Sequence, residues 1–118
     1  EIALVNLEYP DQSFYRRCRA SPSTLYNESA LEFNGTSVKQ MYDPRRPSLQ
    51  KVMEEARNWI QSIRDKRFAG MNPGYDLGFI KLAEEHTGIE LGLGYRSEDL
   101  HTLASEHMRS ILKDFFLL

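Results

Sequence analysis

Between residues 49 and 63, Leu49, Val52, Met53, Ala56, Trp59, Ile60 and Ile63 recur at steps of three and four. That spacing puts them on one stripe of a helix, and Ser48 directly before the stripe is placed to cap it. A second helix is predicted around residues 77 to 86, with Ile80 and Ala83 inward and Gly88 as its stop. Ser97, followed by the acidic pair Glu98 and Asp99, predicts the start of a last helix. Its stripe is Leu100, Leu103, Ala104, His107, Ile111 and Phe115, and His107 on that stripe reads as a core histidine with a satisfied hydrogen bond. The closing residues 115 to 118 are apolar on every side, which suits either burial or contact with another molecule.

Elsewhere the apolar positions repeat every second residue. In residues 2 to 9, Ala3, Val5, Leu7 and Tyr9 share one face before Pro10 ends the run, which predicts a strand. Residues 13 to 19 suit a short helix or strand, and residues 20 to 24, with Pro22, a loop. Asn34-Gly35, between Leu31 and Phe33 on one side and Thr36 and Val38 on the other, predicts a β-hairpin with a type I′ turn. Ile89, Leu91, Leu93 and Tyr95 alternate with Glu90, Gly92 and Gly94, which predicts a strand with one nearly bare face. The expected class is α+β: a small, mainly antiparallel sheet packed against two or three C-terminal helices. Its strands would be the N-terminal one, the Asn34-Gly35 hairpin and the one near 89–95; an all-α bundle with a short hairpin is the alternative.

A chain of 118 residues is expected to form a single domain over 1–118, here excised from a larger protein. Hydrophobic residues at 41% and charged residues at 27% match globular averages, so the domain should be soluble. Lys and Arg number 15 against 17 Asp and Glu, evenly along the chain. A global field able to gather nucleic acid or anionic lipid is therefore missing, and only a local patch could do it. No run is long and apolar enough for a membrane span, so no membrane partner is expected. One cysteine precludes an internal disulfide and favours an intracellular setting, cytoplasmic or nuclear. Sequons at Asn27 and Asn34 leave the secretory route open.

Cys18 lies among Arg16, Arg17 and Arg19, a setting that would favour its thiolate. A phosphate-clasping cysteine loop also needs an arginine six residues on and glycine amides between; here position 24 is Thr, and residues 19 to 24 hold no glycine. Residues 64 to 82 are similar to the tail that follows such a loop in dual-specificity phosphatases. The match spans under a fifth of the chain and lacks the loop upstream, so it implies no activity here. His86, His101 and His107 show no metal-ligand spacing, and Gly92 and Gly94 complete no nucleotide fingerprint. No catalytic residue, cofactor or metal is assigned. The segment "RRPS" (residues 45 to 48) has the form of a basophilic kinase site, with Ser48 also the expected cap.

Arginine beside aromatic rings remains as the candidate chemistry. Phe14 and Tyr15 adjoin Arg16, Arg17 and Arg19, and Arg45 and Arg46 follow Tyr42. Arg and Tyr are favoured anchors in protein interfaces. Together with Phe116 and Leu117 in the apolar tail, these residues make a non-catalytic protein–protein interaction or self-association domain the leading expectation, its partner another protein or a second copy. A nucleic-acid or phosphate-binding module using the same arginines is the alternative. A cysteine-dependent enzyme is the third.

Overall fold

A computed structural model describes residues 1–71, 73–93 and 97–116 of the chain, with Ser97 and residues 111–116 described as backbone only. The class is α+β. Strand β1 (Ile2–Val5) pairs antiparallel with β2 (Ser13–Arg16), with Leu4 opposite Phe14 and Val5 opposite Ser13. The connection turns at Asn6, whose Oδ1 accepts from the Glu8 amide and whose carbonyl accepts from Tyr9. An Asx turn here ends the strand sooner than Pro10 would.

The face that β1 buries differs from the sequence expectation. Ile2 and Leu4 pack on the core, while Val5, Leu7 and Tyr9 are exposed. Residues 2 to 5 are apolar at every position, so alternation alone does not select a face. Phe14 selects it, because the buried ring lies opposite Leu4.

Asn34-Gly35 ends a helix rather than turning a hairpin. Helix α1 (Glu28–Phe33) is capped by the Asn27 side chain, which accepts from the Ala30 amide. Asn34 keeps a helical φ of −83°, and only Gly35, at φ 65°, enters the left-handed region. The Gly35 amide donates to the Glu32 carbonyl and the Thr36 amide to the Leu31 carbonyl, the two bonds of a Schellman stop. A type I′ turn would need both residues at positive φ. Helix α2 (Val38–Met41) follows at once: Ser37 accepts from the Gln40 amide while the Gln40 side chain accepts from the Ser37 amide.

Helix α3 (Leu49–Gln61) is the spine of the fold. Ser48 caps it by accepting from the Lys51 amide, and its stripe buries Val52, Met53, Ala56 and Ile60. After strand β3 (Phe68–Gly70), helix α4 (Pro73–Thr87) begins earlier than its apolar pattern suggests, since Pro73 suits a first helical position. Gly88, at φ 71°, ends it and donates to the Glu84 carbonyl.

The strand expected near 89–95 is not formed over residues 89 to 93; Tyr95 lies outside the described residues. The alternation still works for burial, because Ile89 and Leu91 are buried and Leu93 packs beside them. The Leu91 amide, however, donates to the Glu84 carboxylate, and Gly92 at φ 74° leaves the extended region. Strand β4 (Ser97–Asp99) pairs parallel with β3, so the described strands form two separate two-stranded sheets instead of one mainly antiparallel sheet. Helix α5 (Leu100–Phe116) is capped by Asp99, not by Ser97: the Asp99 carboxylate accepts from the His101 and Thr102 amides.

Phe14, Met53, Ala56, Ile60, Ile89 and Leu91 make the core, with Trp59, Ile80 and Ala83 at its edge. Along α5 the described part of the expected stripe is unburied: Leu103, Ala104 and His107 are exposed, which removes His107 from the core, and the side chains of Ile111 and Phe115 lie outside the described residues.

Candidate interaction surface

The structure joins the two arginine clusters. The Arg19 amide donates to the Pro47 carbonyl, and its guanidinium donates to the Arg46 carbonyl at 2.8 Å. Nothing in the local sequence of either segment foretells this bridge, which depends on residues 17 to 20 running beside the turn that leads into α3.

Most of the guanidinium groups there already have anionic or aromatic partners. Arg16 lies over the Phe14 ring, 4.7 Å from its centroid, and donates to Glu55 of α3 at 2.8 Å. Arg17 donates to the Tyr15 hydroxyl and to Glu1, and the Tyr15 hydroxyl also donates to Glu1; Tyr15, followed by Arg17, holds the Glu1 carboxyl below its ordinary value. Arg45 forks onto Asp43, and the Asp43 carboxyl falls to about 2 because that side chain, followed by the Arg45 amide, donates to it. Phe14 itself is buried, so of the aromatic pair only Tyr15 faces solvent. Phe116 closes α5, and its side chain, like all of Leu117, lies outside the described residues.

Cys18 is half-buried and lines a cavity of about 350 Å³ with Leu49, Met53 and Ile80. That lining is mainly apolar, and His86, His101 and His107 are exposed away from it. Among the described residues, no group of three His, Cys, Asp or Glu side chains is placed to hold a metal ion.

A larger feature lies beside β1, where sequence reasoning did not look. An open groove of about 760 Å³ is lined by Val5, Leu7, Trp59, Ile63, Phe68 and Leu103. Of the carboxylates lining it, Glu8 pairs with Arg64 and Asp65 with Arg67, and Asp76 and Glu98 add further negative charge to its wall. Lys66 turns its ammonium back to the Ile63 carbonyl. The sequence signal for this surface is the apolar run 2 to 5, whose second apolar face is not covered by any of the described residues.

Surface area tells the same story at the scale of the whole chain. A folded monomer of 13.7 kDa is expected to expose about 6,600 Å², whereas this chain exposes 9337 Å². Its radius of gyration, 17.7 Å, likewise exceeds the ~13.5 Å of a compact domain this long. No helix among the described residues is long and apolar enough to cross a membrane. No family model matches the chain, and no curated protein or solved structure matches it significantly.

Proposed function

We propose that this chain is a non-catalytic protein–protein interaction domain that docks its partner in the groove beside β1. The observation that carries the reading is the apolar groove itself, with Leu7, Phe68 and Leu103 at its walls and the Glu8 and Asp65 carboxylates on its lining already paired with arginines. Such a surface gains free energy by excluding water from its apolar walls. The reducing cytoplasm or nucleus is the setting that suits the half-buried thiol of Cys18.

A photo-crosslinking residue placed at Leu103, in cells producing the protein, tests this. Covalent protein adducts are expected from Leu103 and not from the exposed position Asn58 on α3. Equal labelling at both positions, or none at Leu103, would overturn it.

The second reading takes the joined arginine clusters as a phosphate or nucleic-acid site, and the Arg19–Arg46 bridge is what favours it. It ranks lower because Arg16, Arg17 and Arg45 each hold a carboxylate that a phosphate would have to displace. Binding that collapses between low and moderate salt is its signature. The cysteine-enzyme reading asks for fast alkylation of Cys18 at neutral pH.

A further inference from the structure

Among the described residues, the main chain of β1 is paired on one side only. Asn6 donates to the Gln12 carbonyl, and antiparallel pairs alternate, so Leu4 and Ile2 exchange hydrogen bonds with Phe14 and Arg16. It follows that the amides and carbonyls of Ala3 and Val5 point away from β2. Among the described residues neither finds a main-chain partner there, and both residues line the groove. Edge strands are ordinarily guarded by proline, lysine or a bulge. Residues 2 to 5 have none of these.

We propose that a second copy of this chain docks its own β1 along this edge, antiparallel, so that each copy's strand lies in the other's groove. The inference rests on the groove being an interaction surface and names its occupant. A two-fold axis beside Leu4 sets Ala3 against Val5 of the second copy and Val5 against its Ala3, each pair exchanging main-chain hydrogen bonds. The result is one continuous sheet in the order β2-β1-β1-β2.

Two observations favour a second copy over an unrelated segment. The strand from Ile2 to Leu7 is uncharged and apolar except at Asn6, so it sets no like charge against the carboxylates that line the groove it would enter, Glu8, Asp65, Asp76 and Glu98. In the two-fold register Glu1 meets Leu7 of the second copy, so no like charges oppose. Exposed surface is also ample for any such contact: 9337 Å² over the whole elongated chain exceeds the monomer expectation by about 2,700 Å², of which a standard interface of about 800 Å² per partner would cover a part. The same edge geometry is isologous, as two-fold dimers require.

Sedimentation of the 118-residue chain from low to high micromolar concentration reads the outcome directly, and Val5→Pro isolates the edge. Val5 donates nothing to β2, so the substitution removes an outward donor and leaves the β1–β2 ladder in place. The wild type should reach twice 13.7 kDa, and Val5→Pro should raise the dimer dissociation constant about tenfold or more with an unchanged circular dichroism spectrum. Hydrogen exchange of the wild type is the second readout, free of any folding defect in the variant: the Ala3 and Val5 amides should become protected as concentration rises. A wild type that stays monomeric overturns the proposal. So does a dimer that leaves both amides freely exchanging. In either case the Leu103 crosslinks decide separately whether the groove still serves a different protein.

Discussion

Arg16 and Glu55 meet at 2.8 Å across the gap between β2 and α3, and the same guanidinium covers the Phe14 ring. A residue that reads from sequence as a contact for an outside ligand is thus a clip between two elements of the fold. Half of the Arg16 side chain remains in solvent, and Lys51 also approaches Glu55, so the ion pair is screened and shared. Arg16→Ala is expected to cost about 1 kcal/mol in urea denaturation, from lost packing over Phe14 as well as lost charge. Glu55→Gln should cost less.

Burial separates leucines that look equivalent in sequence. Leu91 is 2% exposed and Leu25 is 96% exposed. Leu91→Ala should destabilise by about 2–5 kcal/mol, and Leu25→Ala by next to nothing. Equal losses for the two would place Leu91 outside the core.

The helix stop at Asn34-Gly35 makes an asymmetric prediction. Asn34 sits in the right-handed helical region and Gly35 in the left-handed one. A Cβ at Gly35 meets nothing within 4 Å, so Gly35→Ala is opposed by backbone strain alone, about 1 kcal/mol. Asn34→Ala should be nearly neutral in the same thermal unfolding experiment. A hairpin turn would penalise both.

Acid should weaken the two arginine forks. Arg45 holds the Asp43 carboxyl, and Arg67 the Asp65 carboxyl, at about 2, against an ordinary 3.8. Carboxyls lowered by folding contribute stability that is present above their unfolded value and lost as pH falls through the folded one. The melting temperature should therefore drop between pH 4 and pH 2, modestly because both groups are solvent-accessible. The Asp43→Asn, Asp65→Asn double variant should show a flatter profile over that window.

Periodicity reveals α3 well because one stripe, a serine cap and a proline boundary all agree there. It misleads where a pattern admits two structures. Asn34-Gly35 serves a hairpin or a Schellman stop, and the choice is made by the Asn27 cap seven residues upstream. Ile89, Leu91 and Leu93 alternate as in a strand, yet the Leu91 amide is taken by Glu84, a partner no local window contains. Ser97 suits a cap by residue type, but the parallel ladder keeps residues 97 to 99 extended, so the helix begins only at Leu100 and Asp99, directly before it, does the capping. The arginine and aromatic composition of residues 14 to 19 is visible in sequence. Which of those rings is buried, and which guanidiniums are engaged, depends on contacts with Glu1, Arg46 and Glu55.

Phe14 and Leu91 share one core cluster, although they stand 77 positions apart in the chain. While the protein is being synthesised, the β1–β2 hairpin and α3 can both emerge with their apolar faces still open. Only when Ile89 and Leu91 arrive does the cluster close. Until then the Phe14 ring and the α3 stripe have only each other and Arg16 for cover, a partly open core of the kind that chaperones bind and that favours misassembly between neighbouring chains on one message. A truncation ending before Ile89 should accordingly remain chaperone-bound, while one that extends past Leu93 should be released.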